Sequence, residues 1–551
     1  MPEISPWRPS RFWPDGLAPE LGELPRSLAA CLEASVRRRP DHLALVFYGL
    51  ELTYAELWAR VERLAGFLRH RCGVRRGDRV LIDMQNSPHF VIAFQAILRA
   101  DAVATPVNPM NLTEELAWFC ADSGARAALV GGDLASRFAD LQKGLLDHVI
   151  VADYGDELPD PPQFRLPDVI RASAAAPPPD MIRWVDALAE TRSPGPSLAG
   201  PEDLAIMPYS SGTTGRPKGC AHSHANALTT AIGQARWYEL GEDSVLSAFM
   251  PLFHVAGMQV SMHGGLAVGA TLVLMARWDR DLIPPLFERY GVTFWSAAPT
   301  MVVDALASPD FTDKTFARLK VITGGGSTMP SAVAAELKAR FGLTFVEGYG
   351  LTETIAATHL NPIRRAKPQC LGIPFYETVS LVVDPETLAE RPTGETGEIL
   401  ISGPQVMQGY WGRPDADAEA FVEIGGRRFL RTGDLGYMDD EGYHFIVDRL
   451  KRMINVSGYK VWPAEVEATL YRHPAIQECC VIAAKDAHRG ETVKAVVVLK
   501  PGADLDEAGL TAWARGAMAA YKIPRAVAFA DHLPRTGSNK IDWRRLQEAE
   551  A

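Results

Sequence analysis

Short apolar runs that alternate with helical patterns constrain the fold of this chain more than any other feature of its sequence. Val80-Leu-Ile82 and Ala127-Ala-Leu-Val130 are apolar throughout and have the length of a strand. Ahead of them, Thr53 and Glu56 form a capping-box pattern that is followed by apolar residues at helical spacing. Fully apolar strands separated by helices are typical of parallel sheets covered by helices. The sequence therefore predicts an α/β fold.

The length of the chain predicts more than one domain. Its 551 residues exceed what one hydrophobic core ordinarily holds. A charged turn, Asp448–Arg452, precedes a tail with an apolar strand pattern over Val493–Leu499 and helical patterns around it. We expect a large, multi-layered N-terminal domain over 1–447 and a smaller, mobile α+β cap domain over 448–551.

Charge and cysteine content exclude some classes of protein. The net charge is −11, with acidic and basic residues interspersed, which argues against a nucleic-acid partner that would require a basic face. Binding of a single nucleotide needs only a local anion site, so it stays open. The seven cysteines are scattered without metal-ligand spacing. They predict reduced thiols and a cytoplasmic protein.

One uncharged stretch, Val255–Ala276, is long enough to span a bilayer. It contains four glycines together with Gln259 and His263, which favours a helix, a turn and a strand inside a large core. The N-terminal residues carry prolines and charges rather than an apolar segment, so no secretory signal is expected. The sequence predicts no transmembrane span.

The segment Tyr209-Ser-Ser-Gly-Thr-Thr-Gly-Arg-Pro-Lys-Gly219 carries the strongest chemical signal. Glycines and small hydroxyl residues leave backbone N–H groups free to converge on phosphate oxygens, and a lysine adds a positive charge. It is not a Walker A loop, because Pro217 stands where that motif needs glycine. The predicted phosphate-binding residues are Ser210, Ser211, Gly212, Thr213, Thr214, Gly215 and Lys218.

Further motifs follow in chain order and, with this loop, extend over nearly the whole sequence: Pro251–Gly257, Gly324–Gly326, Gly348–Thr354, Arg431–Asp434, Asp448–Lys451 and Pro534–Lys540. With these motifs the chain resembles the superfamily of acyl-CoA synthetases, luciferases and peptide-synthetase adenylation domains, and is most similar to its fatty-acyl-CoA ligase branch. The resemblance implies ATP-dependent adenylation of a carboxylic acid.

The resemblance also implies roles for residues of the predicted large domain. Adenylation brings a carboxylate to the α-phosphorus of ATP, so the site must neutralise charge. Glu353 resembles the family's Mg²⁺ carboxylate, and Thr352 and Lys218 are expected to contact the phosphates. Tyr349 offers a flat face to adenine, with plain core packing as the alternative. Three glycines would let the backbone approach the base closely: Gly324, Gly325 and Gly326.

Other implied roles fall on the last part of the chain. Asp434 resembles the acceptor for the ribose hydroxyls, with Arg449 as a second ribose contact and a turn-forming role for Asp434 as the alternative. Lys540 resembles the lysine that bridges the acid and the α-phosphate, a role suited to a point charge on a long stem. Asn539 beside it is a departure, because glycine is more usual there.

A moving domain is the next implication of the resemblance. Lys451 corresponds to the family's hinge, and an ordinary charged turn is the alternative. After rotation of the small domain, Ser457, Gly458 and Tyr459 would face the pantetheine arm of CoA. Such a motion would let one site serve two nucleophiles while excluding water.

The acid-binding pocket is predicted from three residues. His254, Trp295 and Gly350 resemble its walls, although a core histidine is an equal interpretation of His254. His222 and His224 form a His-x-His pair just after the phosphate loop. No third ligand is near them in sequence, so metal binding by this pair is not expected.

The predicted function is an AMP-forming acid:CoA ligase that uses ATP, Mg²⁺ and CoA. Gly403–Trp411 and Val383–Thr387 resemble the fatty-acyl branch, which favours a medium- or long-chain fatty acid over an aryl acid. One alternative is a stand-alone adenylation enzyme that loads a carrier-protein thiol. Another is a catalytically silent nucleotide-binding protein, against which Glu353 and Lys540 both argue. Homo-oligomerisation stays open.

Overall fold

The computed structural model describes residues 8–174, 176–210, 216–456, 459–486, 490–535 and 541–550. The chain forms two compact units, one of residues 1–379 with 401–430 and the other of residues 380–400 with 431–551. The boundary predicted between 447 and 448 lies inside the second unit, which begins again at Arg431. As the limit of a mobile domain, the predicted boundary stays a prediction.

The α-helices of the described residues are distributed over both units. They are α1 Leu28–Arg38, α2 Tyr54–His70, α3 Pro88–Arg99, α4 Thr113–Ser123, α5 Asp168–Ser173, α6 Trp184–Ala187, α7 His224–Trp237, α8 Gly265–Val268, α9 Ile283–Tyr290, α10 Pro299–Leu306, α11 Ser331–Phe341, α12 Pro414–Ala420, α13 Pro463–Leu470, α14 Glu507–Ala517 and α15 Trp543–Glu550. Short 3₁₀ turns occur at Ala135–Phe138, Leu141–Lys143, Arg280–Leu282, Thr352–Thr354, Ile363–Arg365 and Leu450–Arg452, and a π-helix at Gly257–Gly264.

The strands of the first part of the chain are mostly short and buried. They are β1 Leu43–Phe47, β2 Leu50–Thr53, β3 Arg79–Asp83, β4 Val103–Pro106, β5 Ala127–Gly131, β6 His148–Ala152, β7 Ile182–Arg183, β8 Leu204–Ile206, β9 Tyr209–Ser210, β10 Lys218–Ser223, β11 Val245–Ala248, β12 Thr271–Leu274, β13 Phe294–Ser296, β14 Val321–Gly325, β15 Phe345–Leu351, β16 Ala356–Leu360 and β17 Ile373–Pro374.

The later strands include the longest ones. They are β18 Val379–Val383, β19 Gly397–Ser402, β20 Gly409–Tyr410, β21 Phe421–Ile424, β22 Arg427–Met438, β23 His444–Arg449, β24 Ile454–Val456, β25 Tyr459–Val461, β26 Ile476–Asp486, β27 Gly490–Leu499 and β28 Ala526–Phe529.

Two sheets form the framework of the first unit. One sheet has the strand order β17–β16–β15–β14–β13–β11–β12–β1–β2, with parallel central strands and antiparallel strands at both edges. The other has the order β20–β10–β8–β4–β3–β5–β6–β7, with β9 beside β10, and is parallel from β8 to β7. The predicted α/β fold is therefore confirmed.

Local sequence signals fix where the elements of the first unit begin. The side chain of Thr53 accepts a hydrogen bond from the backbone N–H of Glu56, and Glu56 accepts one from Thr53 in return. This reciprocal pair satisfies two N–H groups at the start of α2, as the sequence predicted. The segment Val255–Ala276 forms the π-helix, α8, a turn at Gly269 and β12. The expected helix, turn and strand are thus confirmed.

The second unit contains a separate antiparallel framework. Its β25, β24, β27 and β26 are neighbours in that order, and β28 runs parallel to β27. Apolar residues of this sheet and of α13 and α14 form its core, which includes Val466, Val481, Val497 and Leu510. In the same unit, β22 and β23 pair antiparallel from Asp434 onward. The expected small α+β domain is thus confirmed.

Two other expectations concern the chain as a whole. Every cysteine is a free thiol, with Cys72 half-buried and the others buried, as the scattered spacing predicted. Among the described residues, no helix combines the length and the apolar character that a bilayer crossing requires.

Candidate functional site

The glycines at the carboxyl end of β14 bring two strands unusually close. A Cβ atom on Gly324 would lie 2.0 Å from the carbonyl oxygen of Ala297, and one on Gly325 would lie 2.4 Å from that of Gly348. Any larger residue would therefore push these backbones apart, and Gly326 adds a left-handed φ of 81°. Ligands of parallel sheets bind at this carboxyl edge, which keeps these glycines candidates for the adenine contact.

Tyr349 lies at the same edge, on the neighbouring strand β15. It is 9% exposed, and its ring centroid is 5.7 Å from that of His359 with an angle of 50° between the planes. The ring is thus packed mainly against protein, and its contact with adenine stays a prediction.

The turn after β15 is strained. It contains the 3₁₀ turn Thr352–Thr354, followed by Ile355 and Ala356 with left-handed φ values of 42° and 92°. The Thr354 hydroxyl donates to the carbonyl of Ala356 at 2.9 Å, and a Cβ on Gly350 would lie 1.5 Å from that same oxygen. Strain of this kind persists where surrounding contacts hold it and often occurs at functional sites. It fixes Thr352 and Glu353, two predicted site residues.

A buried histidine supports this turn. The Nε2 atom of His222 lies 2.8 Å from the carbonyl oxygen of Thr352, so this nitrogen carries the proton and donates it. The side chain is fully buried, and burial lowers the pKa of His222 to about 4. A further hydrogen bond, from the N–H of Met407 to the carbonyl of Glu353 at 2.8 Å, also holds the turn.

The metal interpretation of the His-x-His pair finds no support. His222 bonds to the strained turn, and the Nδ1 atom of His224 accepts from the N–H of Leu28 at 3.2 Å. Throughout the part of the chain that the structure describes, no group of three or more His, Cys, Asp or Glu side chains could hold a metal ion.

Glu353, Tyr410 and Lys218 form the central cluster of the first unit. The Tyr410 hydroxyl donates to Oε1 of Glu353 at 2.8 Å, and the Lys218 ammonium lies 4.8 Å from the centre of the Tyr410 ring. Pairing of β20 with β10 sets this arrangement, because Tyr410 is the register partner of Cys220. Burial first, and then the nearby Glu353 carboxylate, raise the pKa of Tyr410 far above its ordinary value, so its hydroxyl stays protonated.

The donor set at Glu353 suits magnesium. Its Oε1 accepts a hydrogen bond from the Tyr410 hydroxyl, whereas no described residue donates a hydrogen bond to its Oε2. Magnesium usually takes one or two carboxylates from protein and completes its octahedron with phosphate oxygens and water. A single carboxylate with one oxygen left over by the described residues, in one cluster with Lys218, fits that requirement.

The described residues at the two ends of the predicted phosphate loop contact α4. Tyr209 donates its hydroxyl to Oδ2 of Asp122 at 2.9 Å, and the Arg216 guanidinium lies 4.5 Å from the Trp118 ring centre. Ser210 pairs with Lys218 across β9 and β10. The other predicted loop residues lie outside the described residues: Ser211, Gly212, Thr213, Thr214 and Gly215.

The predicted walls of the acid pocket belong to different elements of the first unit. His254 precedes the π-helix, where its Nδ1 accepts from the N–H of Ala256 at 3.3 Å. Trp295 is fully buried and stacks with Trp278 and Phe316 at ring-centroid distances of 6.2 and 5.9 Å. The position of Trp295 corrects the prediction, because these rings surround it on the sheet face against which α9 packs, leaving it no free surface for an acid.

In the second unit, the two predicted ribose contacts are neighbours. Asp434 and Arg449 are register partners on β22 and β23, and Nε of Arg449 lies 2.5 Å from Oδ1 of Asp434. Asp434 is fully buried and the Arg449 side chain is 46% exposed. The pair therefore offers a buried acceptor held in place by a more exposed cation, and ribose binding stays a prediction.

Several predicted residues of this unit cannot be placed. Ser457, Gly458 and Lys540 lie outside the described residues, as does Asn539. Lys451 belongs to the 3₁₀ turn Leu450–Arg452 and Tyr459 begins β25, but their side chains are not described. Their roles at the hinge and against the pantetheine arm stay predictions.

Sequence reasoning missed the support of Glu353. In the sequence, Tyr410 belongs only to a segment similar to the fatty-acyl branch, whereas in the structure it contacts Glu353 from 57 residues away. No spacing rule connects two positions so distant. An available signal was the position of His222, which follows the phosphate loop on an apolar strand where a polar side chain needs a partner.

Comparison with known proteins covers both units. The model of the AMP-binding enzyme family matches residues 32–411, and that of the AMP-binding enzyme C-terminal domain matches residues 465–540. A long-chain-fatty-acid–CoA ligase of Bacillus subtilis (strain 168) is 34% identical over 565 residues, covering 100% of this chain and 99% of the relative. A feruloyl-CoA synthase of Amycolatopsis sp is 35% identical over 509 residues, covering 92% of this chain and 95% of the relative. The ATP-bound structure of MatB from Rhodopseudomonas palustris has a TM-score of 0.82 and 29% identity, covering 95% of this chain and 98% of that one.

Proposed function

The chain belongs to the AMP-binding enzyme family and is an AMP-forming CoA ligase, and from that premise we propose that its substrate is a medium- or long-chain fatty acid. In the proposed first step, a carboxylate oxygen of the acid bonds to the α-phosphorus of ATP and pyrophosphate leaves. In the second step, the CoA sulfur bonds to the carbonyl carbon of the acyl-adenylate. AMP then leaves and the thiol proton passes to solvent.

The observation that carries the proposed chemistry is that Lys218 and Glu353 both contact Tyr410. The acid and ATP are both anionic, so the first step needs a cation at the phosphates. Lys218 supplies one directly, and Glu353 would hold Mg²⁺, which neutralises phosphate charge when bound. The strained turn and His222 keep Glu353 in position for that role.

One relative's alignment along the full length of this chain favours a fatty acid as the substrate. The long-chain-fatty-acid–CoA ligase of Bacillus subtilis aligns with the whole of this chain. In addition, Gly403–Trp411 and Val383–Thr387 are similar to the fatty-acyl branch. Lys540, as the bridge between acid and phosphate, and Lys451, as the hinge, belong to the same proposal.

An aryl acid with a polar substituent is the second candidate, and Gln259 favours it. The Gln259 side chain is fully buried in the π-helix that follows His254, and neither its Nε2 nor its Oε1 has a hydrogen-bond partner among the described residues. An unsatisfied buried amide costs roughly 1–3 kcal/mol, which a substrate hydroxyl would offset. The similarity to feruloyl-CoA synthase agrees with this candidate.

A panel of acids distinguishes the two candidates. Pyrophosphate release would be measured with octanoate, dodecanoate, hexadecanoate, benzoate and ferulate, and products with CoA identified by mass spectrometry. We expect the highest kcat/KM with a fatty acid. If ferulate is preferred and Gln259→Leu abolishes that preference while Gln95→Leu does not, the aryl acid is the substrate.

The acceptor thiol is tested in the same way. We expect the product to be a CoA thioester. If a thioester forms only on an added phosphopantetheinyl carrier protein, the acceptor is a carrier protein and not CoA. The free, largely buried thiols are the support for the proposed cytoplasmic location.

A further inference from the structure

Tyr410 contacts two opposite charges. Its hydroxyl holds Oε1 of Glu353 at 2.8 Å, while its ring lies under the Lys218 ammonium, 4.8 Å from the ring centre. The backbone of Tyr410 is fixed as well, because its N–H donates to Oδ1 of Asp417 at 2.7 Å. The residue is therefore held at both its backbone and its hydroxyl.

An ion pair between Lys218 and Glu353 would withdraw both charges from the phosphates and the metal. Within the described ranges, no ion pair joins the two residues, and each of them contacts Tyr410 instead.

We propose that Tyr410 is a positioning residue that holds the Glu353 carboxylate, through its hydroxyl, for the magnesium of the bound nucleotide and supports the Lys218 ammonium through its ring. This inference rests on the proposed function, in which Glu353 is the metal carboxylate. The hydroxyl and the ring act separately: the hydroxyl fixes one carboxylate oxygen, and the ring supports the ammonium through a cation–π contact. Groups that orient a metal-binding side chain commonly change metal affinity by about 10- to 100-fold when removed.

Two substitutions separate the hydroxyl from the ring. Tyr410→Phe removes the hydrogen bond and keeps the ring under Lys218, whereas Tyr410→Leu removes both. Tyr54→Phe is a matched control, because the buried Tyr54 hydroxyl donates to the carbonyl of Ala270 at 2.7 Å and not to Glu353. Melting temperatures of all variants would identify any that fail to fold.

The measurement is Mn²⁺ binding, followed by electron paramagnetic resonance at saturating α,β-methylene-ATP. We expect Tyr410→Phe to weaken Mn²⁺ binding by about tenfold, Tyr410→Leu to weaken it further, and Tyr54→Phe to leave it unchanged. When Tyr410→Phe is combined with Glu353→Gln, it should have no additional effect, since it acts through the carboxylate. These results would establish the positioning role.

The other outcomes are separable. Wild-type Mn²⁺ affinity in Tyr410→Phe, or an equal loss in Tyr54→Phe, would overturn the positioning role while leaving the proposed function intact. A loss of equal size whether or not Glu353→Gln is also present would overturn it as well. If Glu353→Gln alone leaves Mn²⁺ affinity unchanged, the assignment of the metal carboxylate in the proposed function fails instead.

Discussion

Two carboxylates, one in each unit, have opposite surroundings. Glu353 accepts a hydrogen bond from the neutral Tyr410, and no described cation forms an ion pair with it. Asp434 is fully buried and paired with the Arg449 guanidinium. A carboxylate that binds a metal ion needs a negative charge that no protein cation already pairs with. A carboxylate that accepts hydrogen bonds from a sugar can be paired with a protein cation. The difference favours a metal at Glu353 and a neutral ligand at Asp434.

The two carboxylates also acquire their partners in different ways. Asp434 and Arg449 are register partners in one antiparallel pair, so strand pairing alone brings them together. Tyr410 reaches Glu353 because β20 pairs with β10 and a separate turn follows β15. The Asp434–Arg449 pair therefore depends on one strand pairing, whereas the Tyr410–Glu353 contact depends on the packing of several elements in the first unit.

Replacing the Glu353 charge should have the largest effect. Glu353→Gln keeps the shape and removes the charge, so acid-dependent pyrophosphate release should fall on the order of a hundredfold or more. Glu398→Gln is the control, because Glu398 is a buried carboxylate of the second unit that pairs with Arg431. Wild-type rates for Glu353→Gln at ordinary Mg²⁺ would remove the distinction between the two carboxylates.

The proposed lysine of the second unit should affect only one half-reaction. Lys540→Ala removes the charge that would bridge the acid and the α-phosphate, so pyrophosphate release should fall on the order of tens of fold. Conversion of supplied acyl-adenylate and CoA to the thioester should continue. Equal losses in both assays, with an unchanged melting curve, would contradict a role confined to adenylation.

Asp434→Asn should have a smaller and different effect. The amide keeps one acceptor oxygen but loses the charge that faces Arg449. We expect the KM for ATP to rise about tenfold, the equivalent of one charge-assisted hydrogen bond, with little change in kcat. A large fall in kcat with an unchanged KM would instead make Asp434 resemble Glu353, and the contrast between the two carboxylates would fail.

Local signals account for what the sequence predicted well. The capping box at Thr53 and the apolar run at Val80–Ile82 depend on neighbouring residues, and both occur where predicted. Trp295 was placed in a pocket wall because of its motif, but strand alternation turns its side chain toward the aromatic residues around α9. The Tyr410 contact depends on pairing between distant strands, which a single sequence does not encode in its spacing.

The smallest effect should come from His222, which supports the turn that carries Glu353. His222→Gln can still donate to the Thr352 carbonyl, so pyrophosphate release should stay within about threefold of wild type. The pKa of His222 is about 4 in the folded protein against an ordinary 6.5, because burial penalises the charged form. As pH falls, the unfolded chain therefore binds the proton before the folded protein does. The stability that neutral His222 contributes is fully present above pH 6.5 and is lost between pH 6.5 and about 4.

Replacing the histidine should reduce that acid sensitivity. Between pH 6.5 and about 4, the free energy of unfolding of wild type should fall more steeply than that of His222→Gln by up to about 1.4 kcal/mol per pH unit, measured by urea unfolding. His224→Gln is the matched control: burial also lowers the pKa of His224 to about 4, but its ring bonds to Leu28 rather than to the turn. Both variants should flatten the acid limb, and only His222→Gln should alter adenylation. If His224→Gln reduces adenylation equally, the turn at Glu353 draws no specific support from His222.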